Sequence, residues 1–126
     1  MTRRSIKRPL ATRVDRLPAR LFGALRVCRL PDGGLLGDIS IMHEHLPPRT
    51  RLPAVHHKRT TEFVYCVSGA MTAVLGEKRR RVRAGAVLLI PPGVRHTFIT
   101  GARPCDCLSV FSPALEVVPG ADIHTG

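Results

Sequence analysis

From Leu21 onward the chain runs in short apolar or alternating stretches divided by turn residues, and no stretch keeps a helical period. Leu21 to Leu30 reads as a first strand, ended by the turn residues Pro31-Asp32-Gly33-Gly34. Gly37 to Leu46 reads as a second, stopped by Pro47-Pro48. Glu62 to Val67 carries the aromatic and β-branched residues that suit a pleated, half-buried surface. Ser68-Gly69 is expected to turn the chain into Met71 to Leu75, and Gly76-Glu77 to turn it again into Lys78 to Arg83. Ala86 to Ile90, Arg95 to Thr100 and Cys105 to Phe111 follow, joined by Pro91-Pro92-Gly93 and by Gly101 to Pro104. Many short strands with closely spaced turns predict an all-β sandwich or barrel.

Composition agrees and adds one asymmetry. A chain of 126 residues, 44% hydrophobic, suits a single core. No apolar run approaches the roughly 20 residues that span a bilayer, so no membrane partner is expected. The net charge is +11, but residues 1–29 hold nine Lys or Arg against Asp15 alone. We therefore expect three segments: a basic, flexible tail over 1–20, a barrel over 21–115 and a short C-terminal tail over 116–126. A solvated extension is the plain reading of the basic tail. Contact with an anionic surface and organelle targeting are alternatives, although Pro9 and Pro18 oppose a targeting helix. Arg3-Arg4 is followed by no apolar segment, which argues against export and for a cytoplasmic protein. With 4% aromatic residues there are few stacking platforms, and nucleic acid is not an expected partner. The cysteines Cys28, Cys66, Cys105 and Cys107 form no zinc-finger spacing and read as reduced, buried thiols.

The candidate chemistry lies in two places. Val55, His56 and His57 read as strand, Lys58 to Thr61 as a turn, and Glu62 as the start of the return strand. A hairpin of this kind would bring His57 and Glu62 together across the pair. His96 follows the stiff Pro91-Pro92-Gly93 turn. If His57, Glu62 and His96 face one cavity, two imidazoles and a carboxylate converge as a metal-ligand set that leaves positions open for substrate. Spacing alone leaves satisfied core or surface histidines as the alternative.

These stretches resemble the two motifs of the cupin superfamily. The second motif, G-x5-P-x-G-x2-H-x3-N, is met by Gly85, Pro91, Gly93 and His96, with Thr100 in place of the final Asn. The first, G-x5-H-x-H-x(3,4)-E-x6-G, is met by His57, Glu62 and Gly69. Arg49 stands where its first Gly would be, and Val55 where its first metal-binding His would be. The resemblance implies a double-stranded β-helix, a jelly-roll barrel around a cavity, often paired as a homodimer. It implies a divalent transition metal (Fe, Mn, Ni, Cu or Zn) held by His57, Glu62 and His96. Ile39, Ile41, His43 and His45 share one strand face, so inward isoleucines would let His43 or His45 replace the ligand missing at Val55.

The implied function is a small metal-binding cupin-like protein acting on a small oxygenated metabolite as a dioxygenase, isomerase or decarboxylase. Glu62 is the candidate general base should no metal bind, given a raised pKa in a closed barrel. The alternative is a non-catalytic binding or sensor barrel, with Val55 marking a degraded site.

Overall fold

The computed structural model describes residues 8–126. A short 3-10 turn at Val14–Arg16 precedes eight antiparallel strands: β1 (Arg20–Phe22), β2 (Leu25–Arg29), β3 (Ser40–Leu46), β4 (Thr61–Leu75), β5 (Lys78–Arg83), β6 (Val87–Ile90), β7 (His96–Ile99) and β8 (Cys105–Ser112). The first seven residues of the expected basic tail lie outside the described residues. No helix of the described residues is long and apolar enough to cross a membrane.

The strands form two sheets that share β4. Its first half pairs with β6 and β8, and beyond β8 lie β3, β2 and β1. Its second half pairs with β5 and β7. The all-β expectation holds, with two local differences. The stretch Leu21 to Leu30 is a hairpin rather than one strand, because Gly23 takes a left-handed φ of 58° and reverses the chain between Phe22 and Leu25. Ser68-Gly69 does not end a strand. The register against β8 shifts between Cys66 and Ser68, and this bulge bends β4 from one sheet into the other. Gly69 has φ 80°, and a Cβ there would lie 1.9 Å from the Pro104 carbonyl oxygen, so the bend admits only glycine.

Alternation along the strands builds two buried clusters. Val64, Cys66, Met71, Ala73, Val82, Ile90, Cys105 and Cys107 fill one end of the barrel. Leu25, Val27, Met42, Leu46, Leu52, Phe111 and Leu115 line the other. Phe98 packs against both. The second end is less tightly filled and encloses the cavity described next.

Candidate metal centre

His57, Glu62 and His96 meet inside the barrel, each no more than 5% exposed. Glu62 is the second residue of β4 and points inward with Val64 and Cys66, as strand alternation requires. His96 opens β7 directly after the Pro91-Pro92-Gly93 turn. The local hairpin expected between His57 and Glu62 is absent. Val55 instead bridges His96, through backbone bonds of 2.9 and 2.8 Å, and His56 bridges His124. The convergence is therefore nonlocal: the 55–57 segment is laid against β7 and the C-terminal segment, and His57 reaches Glu62 across the interior.

Glu62 Oε1 lies 3.0 Å from His57 Nε2 and 3.2 Å from His96 Nε2. The rings are 5.1 Å apart, tilted by 57°. Each imidazole donates its Nδ1–H to a backbone carbonyl, that of Asp122 at 2.6 Å for His57 and that of Val94 at 2.9 Å for His96. Those outer bonds fix both rings with Nε2 toward the carboxylate, the support that metal-ligating histidines need. One potential ligand atom from each residue falls within 4.8 Å of the others, so the donor set fits a single transition ion.

Burial alone would raise the Glu62 carboxyl, but its hydrogen bonds to His57 and His96 prevail and hold it below the ordinary 4.5. Burial would likewise depress His96, and the bond to Glu62 overrides it and lifts the imidazole above 6.5. The raised carboxyl expected of Glu62 is found instead at Glu44. Burial, with the charge of Glu62 second, pushes Glu44 up to about 8, and Ser109 Oγ–H donates to its Oε1.

Glu44 results from a strand phase opposite to the expected one. Ser40, Met42 and Leu46 are the buried residues of β3, so Glu44 faces inward with them. His43 and His45 face out, where their ring nitrogens lie 3.7 and 2.9 Å from Asp106 Oδ1. Neither replaces the ligand missing at Val55. The signal was present in the sequence: Met42 and Leu46 define an apolar face that includes Glu44.

The C-terminal segment completes the site, and nothing in the sequence marked it. Besides the His57 contact, the Asp122 carboxylate accepts the backbone N–H groups of Lys58, Arg59 and Thr60 at 2.7, 2.8 and 3.1 Å. Burial would raise this carboxyl, and the three N–H donors, with His124, hold it well below its usual range. Arg49, at the position of the first motif glycine, takes a left-handed φ of 52°, the conformation glycine favours.

The three residues line a small cavity that is partly open to solvent. Its walls are largely apolar, with Val55, Phe98, Phe111 and Leu115 near the histidines and Glu44 as the further acidic group. Neither Lys nor Arg is among its lining residues.

The cupin domain family model matches residues 42–111, more than half of the chain. The chain belongs to the cupin family. Solved cupin structures superpose on it at low identity. A sugar phosphate isomerase of the cupin superfamily from Silicibacter pomeroyi is 20% identical with a TM-score of 0.71, over 81% of this chain and 74% of that one. A polyketide cyclase from Streptomyces resistomycificus is 21% identical with a TM-score of 0.72, over 82% and 79%. A cupin 2 conserved barrel domain protein from Salinispora arenicola is 22% identical with a TM-score of 0.72, over 83% and 89%. No curated protein matches this cupin by sequence. At these identities the likeness establishes the barrel, and the chemistry must be argued from the cupin's own residues.

Proposed function

We propose that this cupin holds one divalent transition metal through His57, Glu62 and His96 and acts on a small molecule that joins an oxygen function to an apolar body. The observation that carries this is the convergence of three ligand atoms within 4.8 Å at the wall of an apolar cavity. Iron, manganese, nickel, copper and zinc all accept such a set, and two histidines with one carboxylate suit Fe(II) in particular. When bound, the metal would polarise a carbonyl or carboxylate of the ligand or present oxygen to it.

The chain's own groups do the remaining work in this reading. The Asp122 and Val94 carbonyls keep both Nε2 atoms aimed at the site. The apolar walls hold the ligand's body and exclude water. Glu44, whose carboxyl burial raises, faces the same cavity and is the group placed to share a proton with an oxygen of the ligand, while Glu62 serves as a ligand rather than as a base. A phosphate group would find no cationic partner in the cavity lining, which favours a neutral or singly charged substrate. Dioxygenation, isomerisation and decarboxylation remain the reaction classes this site could run.

A non-catalytic binding barrel is the second reading, and Val55 favours it, because this apolar side chain lines the cavity where a fourth ligand would stand. Calorimetric titration of metal-free protein with Fe(II), Mn(II), Ni(II) and Zn(II), under argon, separates the two. The metal reading expects one site that is lost in Glu62→Gln. Ligand binding that is indifferent to metal would favour the second reading.

The partner in either case is a second copy. Phe63 pairs with Leu89, and Tyr65 with Val87, on the outer face of the larger sheet, and all four are exposed. The rows continue through Val110 and Leu108 to Ile41 and His43, an apolar strip across four strands that a homodimer would bury. Four unbridged, buried cysteines suit a reducing, cytoplasmic setting.

A further inference from the structure

Three of the four cysteines meet in the other buried cluster. Cys66 enters from β4 and pairs in register with Cys107 of β8. Cys105 lies two residues before Cys107 and shares its inward face. The sulfurs of Cys66 and Cys105 are 3.5 Å apart, and those of Cys105 and Cys107 are 3.8 Å apart. All three lie within 4.8 Å of one another, in side chains that are 0%, 1% and 5% exposed. Buried thiols ordinarily act as small hydrophobes. Three sulfurs turned toward a common point make a donor set.

We propose that Cys66, Cys105 and Cys107 form a second metal site, selective for the soft monovalent ion copper(I).

The spacing fits an ion with little rearrangement. Metal–thiolate bonds of about 2.3 Å need sulfur separations of roughly 3.8 Å in a tetrahedral site and about 4.0 Å in a trigonal one. The donors set the selectivity. Met71 lines the same small cavity as Cys105 and Cys107, and no histidine does, so the sulfur surroundings are thiol and thioether. Thiolate and thioether ligands favour copper(I), whereas structural zinc sites demand a fourth thiolate, imidazole or carboxylate. Glu44 lines this cavity too, but its carboxyl already accepts the Ser109 hydroxyl, which makes it a poor fourth ligand.

Binding would pass the displaced thiol protons to solvent. Leu25, Glu44 and Phe98 line both this cavity and the larger open one, and so form the wall between them.

The test titrates reduced, metal-free protein with copper(I) delivered from a chromophoric chelator in the absence of oxygen. One equivalent should bind to the native protein, to Cys28→Ala and to His96→Ala, and should be lost in Cys105→Ala. X-ray absorption of the copper-loaded native protein should give a shell of sulfur alone at about 2.3 Å. That measurement needs no variant, so it decides the matter even if Cys105→Ala fails to fold. Absence of uptake, uptake unchanged in a folded Cys105→Ala, or a nitrogen or oxygen shell would overturn the proposal.

Discussion

His57 donates its Nδ1–H to the main-chain carbonyl of Asp122, 65 residues downstream, at 2.6 Å. The C-terminal segment thus orients a ligand of the candidate metal centre. The same residue's carboxylate gathers the N–H groups of residues 58–60 and so fixes the loop that leads from His57 to Glu62. Asp122→Ala removes the loop anchor and should weaken metal binding by about 10- to 100-fold, the usual cost of losing support behind a ligand. Titration calorimetry on the variant checks this, and an unchanged affinity would show that the loop holds itself.

Val55 lines the cavity beside the three ligands and is bridged to His96 through the backbone. Its side chain therefore marks the position from which a fourth ligand would reach the ion. Val55→His should tighten metal binding about tenfold or more, which corresponds to about 1.4 kcal/mol. Competition against a chelator of known affinity measures the change. Weaker binding in a folded variant would mean that the cavity cannot seat a third imidazole.

The pH dependence of the metal-free protein follows from two raised groups. Glu44 moves from 4.5 unfolded to about 8 folded, so its contribution is full below 4.5 and is lost as pH rises through about 8. His96 has the same sign, full below 6.5 and lost as pH passes its higher folded value. Glu62 has the opposite sign, present above 4.5 and lost as pH falls through its lower folded value. The melting temperature should therefore drop as pH rises from 4.5 through about 8, with His96 adding to the loss above 6.5, by on the order of 5 °C. Glu44→Gln should flatten part of that drop. Thermal melts in a chelator across this range check it, and an equal slope in both proteins would remove Glu44 from the account.

The apolar strip on the larger sheet makes a separate prediction. Phe63 and Tyr65 are 40% and 42% exposed, and Leu89 is 65% exposed. Phe63→Lys places a charge at the centre of the strip, where burial against a second copy would be costly. The native protein should sediment as a dimer and the variant as a monomer with its fold intact. A native monomer at micromolar concentration would exclude the homodimer.

What the sequence revealed and what it hid divide along local and nonlocal lines. The Pro91-Pro92-Gly93 turn placed His96, and the alternation of Glu62, Val64 and Cys66 placed the carboxylate, because both depend on neighbours in the chain. The phase of β3 was misread because its isoleucines look more core-like than Met42, although it is Met42 and Leu46 that are buried. β4 runs on through Ser68-Gly69 because the glycine serves a close approach to Pro104 rather than a reversal. Asp122 behind His57, and Cys66 opposite Cys107, depend on pairings across 65 and 41 positions that no local pattern carries.

The most direct test of the central claim is the metal content of the purified, untagged protein by elemental mass spectrometry, repeated on His96→Ala. Close to one equivalent of iron, manganese, nickel, copper or zinc should be present in the native protein, or after its exposure to these ions, and should be lost in the variant. A native protein that is metal-free and takes up none of them would contradict it.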